Sequence, residues 1–121
     1  MKIHFIHVKP KSTPNTKVYP IILLHGWPGS VREFYDIIPL LTSPNKDNIA
    51  FEVIVPSLPG YGWSDGASKK GLGPLKMSVI FRNLMLRIGH KEFYVQGSIE
   101  KVVNRIFFLN FKPFKGEIGV Q

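Results

Sequence analysis

The sequence contains no cysteine, which removes disulfides and every Cys-ligated zinc or iron–sulfur site and leaves the redox compartment open. Acidic residues are scarce: 8 Asp and Glu stand against 16 Lys and Arg, a formal charge of +8 on 121 residues, with an isoelectric point near 9.9. Long apolar runs are missing too. None approaches the ~18 residues that a spanning helix needs, so the chain as given is not read as a membrane span. The opening, Met1 to Pro10, mixes two histidines and two lysines among its apolar residues, which is wrong for the core of a signal peptide. The positive charge invites a nucleic-acid reading, because clustered cations release counterions from phosphates. Here the cations are scattered singly or in pairs, as at Lys9 and Lys11, Lys69 and Lys70, Arg82 and Arg87, and Lys112 and Lys115. No RNP-like or helix-turn-helix pattern accompanies them. A solvated surface without a nucleic-acid partner is therefore expected.

What is present suits one small globular domain: 44% of the residues are apolar and 12% aromatic, with a mean hydropathy of +0.03, enough to build a core. Lys2 to Val8 alternates, with Ile3, Phe5 and His7 on one side and His4, Ile6 and Val8 on the other, which predicts a strand. His4 and His7 then face opposite ways, which argues against a two-histidine metal site. Pro10 to Thr16 is turn-rich. Val18 to Leu24 is a short apolar run of the kind buried on both faces of a parallel sheet, and it ends in the turn His25-Gly26-Trp27-Pro28-Gly29-Ser30. Ser30 and Glu33 have capping-box spacing, which predicts that a helix starts there. Phe34, Ile37, Ile38 and Leu41 give that helix its apolar stripe, and Pro39 predicts a kink or an end near it.

Phe51 to Val55, closed by Pro56, is a second strand-like run. Ser57 to Gly73 follows, a long Gly-, Pro- and Ser-rich loop of the kind that is usually functional or disordered. A helix is expected from Pro74 to just before Gly89, with Met77, Ile80, Phe81, Leu84 and Ile88 on one face. Phe93 to Val95 reads as a third short strand. Strand, helix, strand, helix, strand predicts a parallel sheet with crossover helices.

Two segments carry candidate chemistry. Gly62-Trp63-Ser64-Asp65-Gly66 satisfies the G-x-S-x-G pattern of serine hydrolases. Its context is wrong, because a nucleophile elbow runs directly from strand to helix, whereas Ser64 lies mid-loop. A serine hydrolase using Ser64 is the weaker alternative. The turn His25 to Ser30 is the stronger signal. It can aim the backbone N–H of Trp27 into a crevice above the sheet's carboxyl edge, as an oxyanion hole requires, or it can be a plain tight turn around a buried tryptophan. Trp27-Pro28 is also a candidate cis peptide bond, which one sequence does not decide.

Taken together, Lys2-Ile3-His4-Phe5-Ile6-His7, the turn His25 to Ser30, Glu33-Phe34-Tyr35, Ile38-Pro39-Leu40-Leu41, Phe51-Glu52-Val53-Ile54, Pro59-Gly60-Tyr61-Gly62-Trp63-Ser64, Lys69-Lys70-Gly71, and Leu86-Arg87-Ile88-Gly89 leading to Glu92-Phe93-Tyr94-Val95-Gln96-Gly97 resemble the microsomal epoxide hydrolase family of α/β-hydrolases, including its juvenile hormone epoxide hydrolases. The resemblance implies a partial α/β-hydrolase fold with an incomplete core: a parallel sheet with flanking helices, preceded by an antiparallel N-terminal strand. It divides the chain into residues 1–97, the front of the catalytic domain, and 98–121, a divergent basic and aromatic tail. In that family an aspartate attacks an epoxide carbon to form an ester, a histidine with an acidic partner activates the water that hydrolyses it, and two lid tyrosines hold the epoxide oxygen. The resemblance makes the Trp27 N–H half of the oxyanion hole. It makes His25, Gly26, Pro28, Gly60, Gly62 and Ser64 parts of structural motifs rather than reacting groups.

The family's nucleophile motif, Gly-Gly-Asp-Trp-Gly-Ser, should start at Gly97. This chain reads Gly97-Ser98-Ile99-Glu100-Lys101, so Ile99, which has no nucleophilic atom, stands in the aspartate's place. Ser98 and Glu100 flank it, but a one-residue shift at a strained elbow turns a side chain to another face. His4, His7, His25 and His90 all precede the elbow, and none is placed to serve as the general base. The expectation is an inactive chain, or a non-catalytic binding or dominant-negative partner of a full-length relative, with small-molecule epoxides as the family's substrates. No cofactor and no metal are expected. The resemblance implies attachment to the endoplasmic reticulum through an N-terminal anchor. A chain starting at Met1 lacks that segment and is expected to be soluble in the cytoplasm or unstable. From Ser98 onward the likeness stops, as an altered-splicing or frameshift ending would produce. Even so, Ile99, Val102, Val103, Ile106 and Leu109 or Asn110 can form one helical face. Phe107, Phe108, Phe111 and Phe114 leave an apolar excess, and Lys101, Arg105, Lys112 and Lys115 add charge suited to a membrane surface or a partner.

Overall fold

The two apolar runs lie at the centre of a four-stranded sheet. A computed structural model describes residues 1–11 and 14–110. Strands β1 (Phe5–Val8), β2 (Lys17–Leu24), β3 (Ile49–Pro56) and β4 (Tyr94–Gly97) lie in the order β1-β3-β2-β4. Strand β2 runs parallel to both β3 and β4, and β1 runs antiparallel to β3. This is a partial α/β-hydrolase sheet. A 3₁₀ turn (Val31–Phe34) and helices α1 (Ile37–Thr42), α2 (Pro74–Ile88) and α3 (Glu100–Asn110) complete the described elements.

Burial on both faces explains why β2 and β3 are so uniformly apolar. Ile22, Leu24, Ile54 and Val95 join Phe81 and Met85 of α2 and Val102, Val103 and Ile106 of α3 in one core. Leu23, Val53 and Val55 face the other way, against Val31 and Ile38. Successive strand residues alternate faces, so each central strand feeds two cores. Each fully buried Leu, Ile or Phe stabilises by roughly 1.5–3 kcal/mol. Helix α3 is part of the larger core: its residues Val102, Val103 and Ile106 are fully buried. Phe111, Lys112, Phe114 and Lys115 lie outside the described residues.

Four local expectations differ from the structure. The capping box does not form. Ser30 does cap, but it accepts from Arg32 N–H (3.2 Å), over a 3₁₀ turn too short for an α-helical box, and Glu33 bonds elsewhere. Pro39 neither kinks nor ends a helix; it lies in the first turn of α1, where the backbone N–H has no intrahelical partner to lose. The third parallel strand begins at Tyr94 and runs to Gly97, with Phe93 buried just ahead of it. Lastly, Lys2 and His4 lie before β1 rather than in it, since the Ser57–Asp65 loop takes their hydrogen bonds. Lys2 N–H donates to Asp65 Oδ2 (2.8 Å), Asp65 N–H to the Lys2 carbonyl (2.9 Å), and Ser57 N–H to the His4 carbonyl (2.8 Å).

Candidate active site

Three loops leave the carboxyl ends of the parallel strands: His25–Ser30 after β2, the loop from Ser57 after β3, and Gly97–Ile99 after β4. That edge is where open α/β sheets bind ligands.

The turn after β2 is held from inside. Leu58 N–H donates to His25 Nε2 (3.0 Å), which leaves the ring proton on Nδ1, donated to the Gly26 carbonyl (3.0 Å). His25 is fully buried, with the Tyr61 ring edge-on at 5.7 Å. Its two ring nitrogens join the β2 and β3 loops, so its work is structural. Glu33 reaches back seven residues to accept from Gly26 N–H (3.3 Å). A Cβ on Gly29 would lie 2.6 Å from the Glu33 carboxylate and 2.9 Å from the Gly26 carbonyl, so the turn closes only around glycine. The Trp27-Pro28 peptide is cis. Trp27 is 77% exposed, which removes the alternative of a tight turn wrapped around a buried tryptophan.

The turn after β4 has the strand–turn–helix form that Ser64 lacks. Strand β4 ends at Gly97, Ser98 and Ile99 make the bend, and α3 begins at Glu100. Ser98 N–H bonds the Leu24 carbonyl (3.2 Å). A Cβ on Gly97 would lie 2.6 Å from that same carbonyl oxygen, and one on Gly26 would lie 2.9 Å from the Ser98 Cβ. Two glycines thus let the bend and the Trp27 turn interlock. At the bend Ser98 is exposed and Ile99 half-buried.

The loop after β3 is tied to the N-terminus. Ser64 Oγ donates to the Ser57 carbonyl (2.7 Å) and accepts from His4 N–H (3.0 Å). The His4 ring is on Ser57 Oγ (2.8 Å), so it does not face Ser64 as a general base would. Gly60 and Gly62 adopt φ of +84° and +53°, and a Cβ on Gly62 would lie 2.8 Å from Ser57 Oγ. Trp63, 72% exposed, stacks obliquely on His4 at 5.0 Å.

A second polar cluster, which the sequence reading did not single out, sits under the sheet. Glu52, only 8% exposed on β3, meets two imidazoles: His90 Nε2 in direct contact and His7 Nε2 at 3.5 Å. The available signal is a carboxylate inside an apolar strand, which demands a partner. Among the described residues no group of three or more His, Cys, Asp or Glu is arranged to hold a metal ion.

Comparison with known proteins agrees with this architecture. Residues 19–98 match the α/β-hydrolase fold family and residues 1–34 match the epoxide hydrolase N terminus. The chain is 54% identical over 98 residues to juvenile hormone epoxide hydrolase 1 of Ctenocephalides felis, covering 80% of this chain and 21% of that protein. It is 52% identical over 102 residues to epoxide hydrolase 1 of Oryctolagus cuniculus, covering 80% of this chain and 22% of that one. The crystal structure of the juvenile hormone epoxide hydrolase of Bombyx mori superposes with a TM-score of 0.78 at 52% identity, over 85% of this chain and 24% of that chain. The epoxide hydrolase of Aspergillus niger superposes with a TM-score of 0.64 at 35% identity, over 79% and 25%. The chain therefore spans about one fifth of the length of the relatives it matches. The likeness in sequence and fold, over the same three loops, places this chain in the epoxide hydrolase family of α/β-hydrolases.

Proposed function

We propose that this chain carries the oxyanion side of an epoxide hydrolase site without its attacking group, and that it does not open epoxides by itself. The observation behind this reading is the bend after β4, where Ile99 stands between Gly97-Ser98 and the first residue of α3. In the family reaction a carboxylate attacks an epoxide carbon, the ring oxygen leaves and is protonated, and water cleaves the ester to a diol. A hydrocarbon side chain at the apex supplies no lone pair for the first step. The neighbouring Trp27 turn, held by His25 and Glu33, supports a backbone N–H cradle for oxygen charge. The substrates implied are small-molecule epoxides such as juvenile hormone or xenobiotic epoxides. The reading rests on Ile99 and not on the extent of the chain. Attachment to the endoplasmic reticulum belongs to the same proposal; no helix among the described residues is long and apolar enough to cross a membrane.

Incubating the purified chain with styrene oxide or a juvenile hormone analogue, and measuring diol by chromatography, tests this. Diol is expected at the buffer rate. Turnover that Ser98→Ala or Glu100→Gln abolishes would overturn the reading.

A second reading, a non-catalytic chain that associates with a full-length relative, is favoured by the outer edge of β4, which has no strand beside it among the described residues. Co-purification with an intact relative supports it; absence of a complex counts against it.

A further inference from the structure

Glu52 is a carboxylate on an inner strand, only 8% exposed, and its ion-pair partners are two imidazoles. A buried anion demands partners, and histidine is the side chain whose charge ordinarily comes and goes near neutral pH. The two rings are not held alike. His90 Nε2 is in direct contact with Glu52 Oε2, and the His90 backbone N–H is fixed to the Met85 carbonyl (2.9 Å) at the end of α2. His7 Nε2 lies 3.5 Å from Glu52 Oε1, buried and without a hydrogen-bond partner. Buried polar atoms left unpaired are uncommon in folded chains, and this one stands beside the second oxygen of a carboxylate.

A neutral imidazole carries its single N–H proton on either nitrogen, so the His7 ring can leave Nε2 bare. The imidazolium always presents Nε2–H, and its hydrogen bond to a carboxylate is charge-assisted, roughly twice as strong as a neutral one. A proton taken from solvent by His7 therefore closes the gap to Glu52 and satisfies both groups. On the β2 side Pro20 stands opposite Glu52 and brings no charge. Lys9 after β1, Arg87 in the last turn of α2, and Lys91 and Glu92 after His90 are exposed. Side chains of those types hold an essentially constant charge between about pH 5.5 and 8.

Strand β1 carries the effect along the sheet. His7 pairs with Ile54 and Phe5 with Pro56. Just ahead of β1, the His4 and Lys2 carbonyls accept from the Ser57 and Asp65 amides (2.8 and 2.9 Å). Strand β1 thus joins the Glu52 cluster to the loop after β3, one of the three loops at the candidate site.

We propose that His7, Glu52 and His90 form a proton-operated clamp, in which a proton taken up at His7 draws β1 onto β3 and steadies the Ser57–Asp65 loop. The carboxylate partner is in place only in the folded chain, so this stabilisation is present in acid and lost as pH rises through the histidine range. The inference goes beyond the proposed function and depends neither on Ile99 nor on the outer edge of β4.

Residue-level amide exchange of the whole chain between about pH 5.5 and 8, with each rate divided by its intrinsic rate at that pH, tests it. Relative to the Ser98 amide, which bonds the Leu24 carbonyl outside the clamp, the Ser57 and Asp65 amides should be about fivefold or more better protected at the acid end. His7→Gln keeps a hydrogen-bonding side chain that takes no proton, and Glu52→Gln removes the charge at nearly the same shape; each should flatten the dependence to within about twofold. The His7→Gln result stands even where Glu52→Gln fails to fold. A flat profile in the unaltered chain overturns the proposal. So does a dependence that survives either substitution, which would belong to His4, whose ring lies on Ser57 Oγ (2.8 Å).

Discussion

Gly97 has no room for a methyl group. The added carbon would lie 2.6 Å from the Leu24 carbonyl oxygen and 2.7 Å from the Leu24 Cβ, and that carbonyl, at the end of β2, is held by the Ser98 N–H. Gly97→Ala is expected to cost about 1–3 kcal/mol or more, in the range of overpacked cores, measured by urea denaturation. An unchanged midpoint would mean that the β2 and β4 ends separate freely. Glu33 makes a different case. Its acidic character three residues after Ser30 is legible in the sequence as a helix-cap signal, yet its partner is Gly26 N–H. The local pattern names a carboxylate seeking a backbone donor. Which donor depends on the His25–Ser30 turn folding back over it, and that is tertiary. Glu33→Ala should therefore speed amide exchange at Gly26 while leaving the Arg32 amide, which bonds Ser30, unaffected. Glu52 with His7 and His90 is harder to read ahead of structure, because its three members come from β1, β3 and the turn after α2, and nothing in their spacing joins them.

At the scale of elements, legibility follows how much of an element's definition is local. Helix α2 is read correctly at both ends because Pro74 begins it, its ring fixing a helical φ, and Gly89 ends it at a φ of +107° that glycine, lacking a Cβ, adopts without strain. Gly89→Ala must force an L-residue into that left-handed cap and should cost about 1 kcal/mol, read as a lower thermal midpoint; an equal or higher one would show that the cap relaxes. The segment after Ser30 is misread because one apolar stripe, Phe34 to Leu41, is shared by a 3₁₀ turn and a separate six-residue helix. Periodicity sees the face shared by Phe34, Ile38 and Leu41 and not the break at Tyr35 and Asp36, which leaves Ile37 of the expected stripe 43% exposed. Helix α3 lies between these cases. Its apolar face is readable at Val102, Val103 and Ile106, but nothing local says that Phe81 and Met85 of α2 complete the same core.

For the whole molecule, the order of elements and the buried central pair follow from alternation and apolar runs, and the resemblance supplies the antiparallel direction of the first strand and what the bend after β4 should contain. The charge of +8 has no motif of its own, yet it acts on any association between copies. Two molecules of the same sign repel over the screening length, which falls from about 30 Å to about 8 Å as salt rises from about 10 mM to physiological strength. Strand β4 contains no charged residue, so a contact between copies along it would offer salt no attractive ion pair to weaken, and salt would only remove repulsion between the bodies. Such pairing should therefore tighten as salt is added, which sedimentation at fixed protein concentration across a salt series would show. Pairing that weakens with salt would point instead to Lys or Arg on one copy meeting Asp or Glu on the other, an interface held by charge and located away from β4.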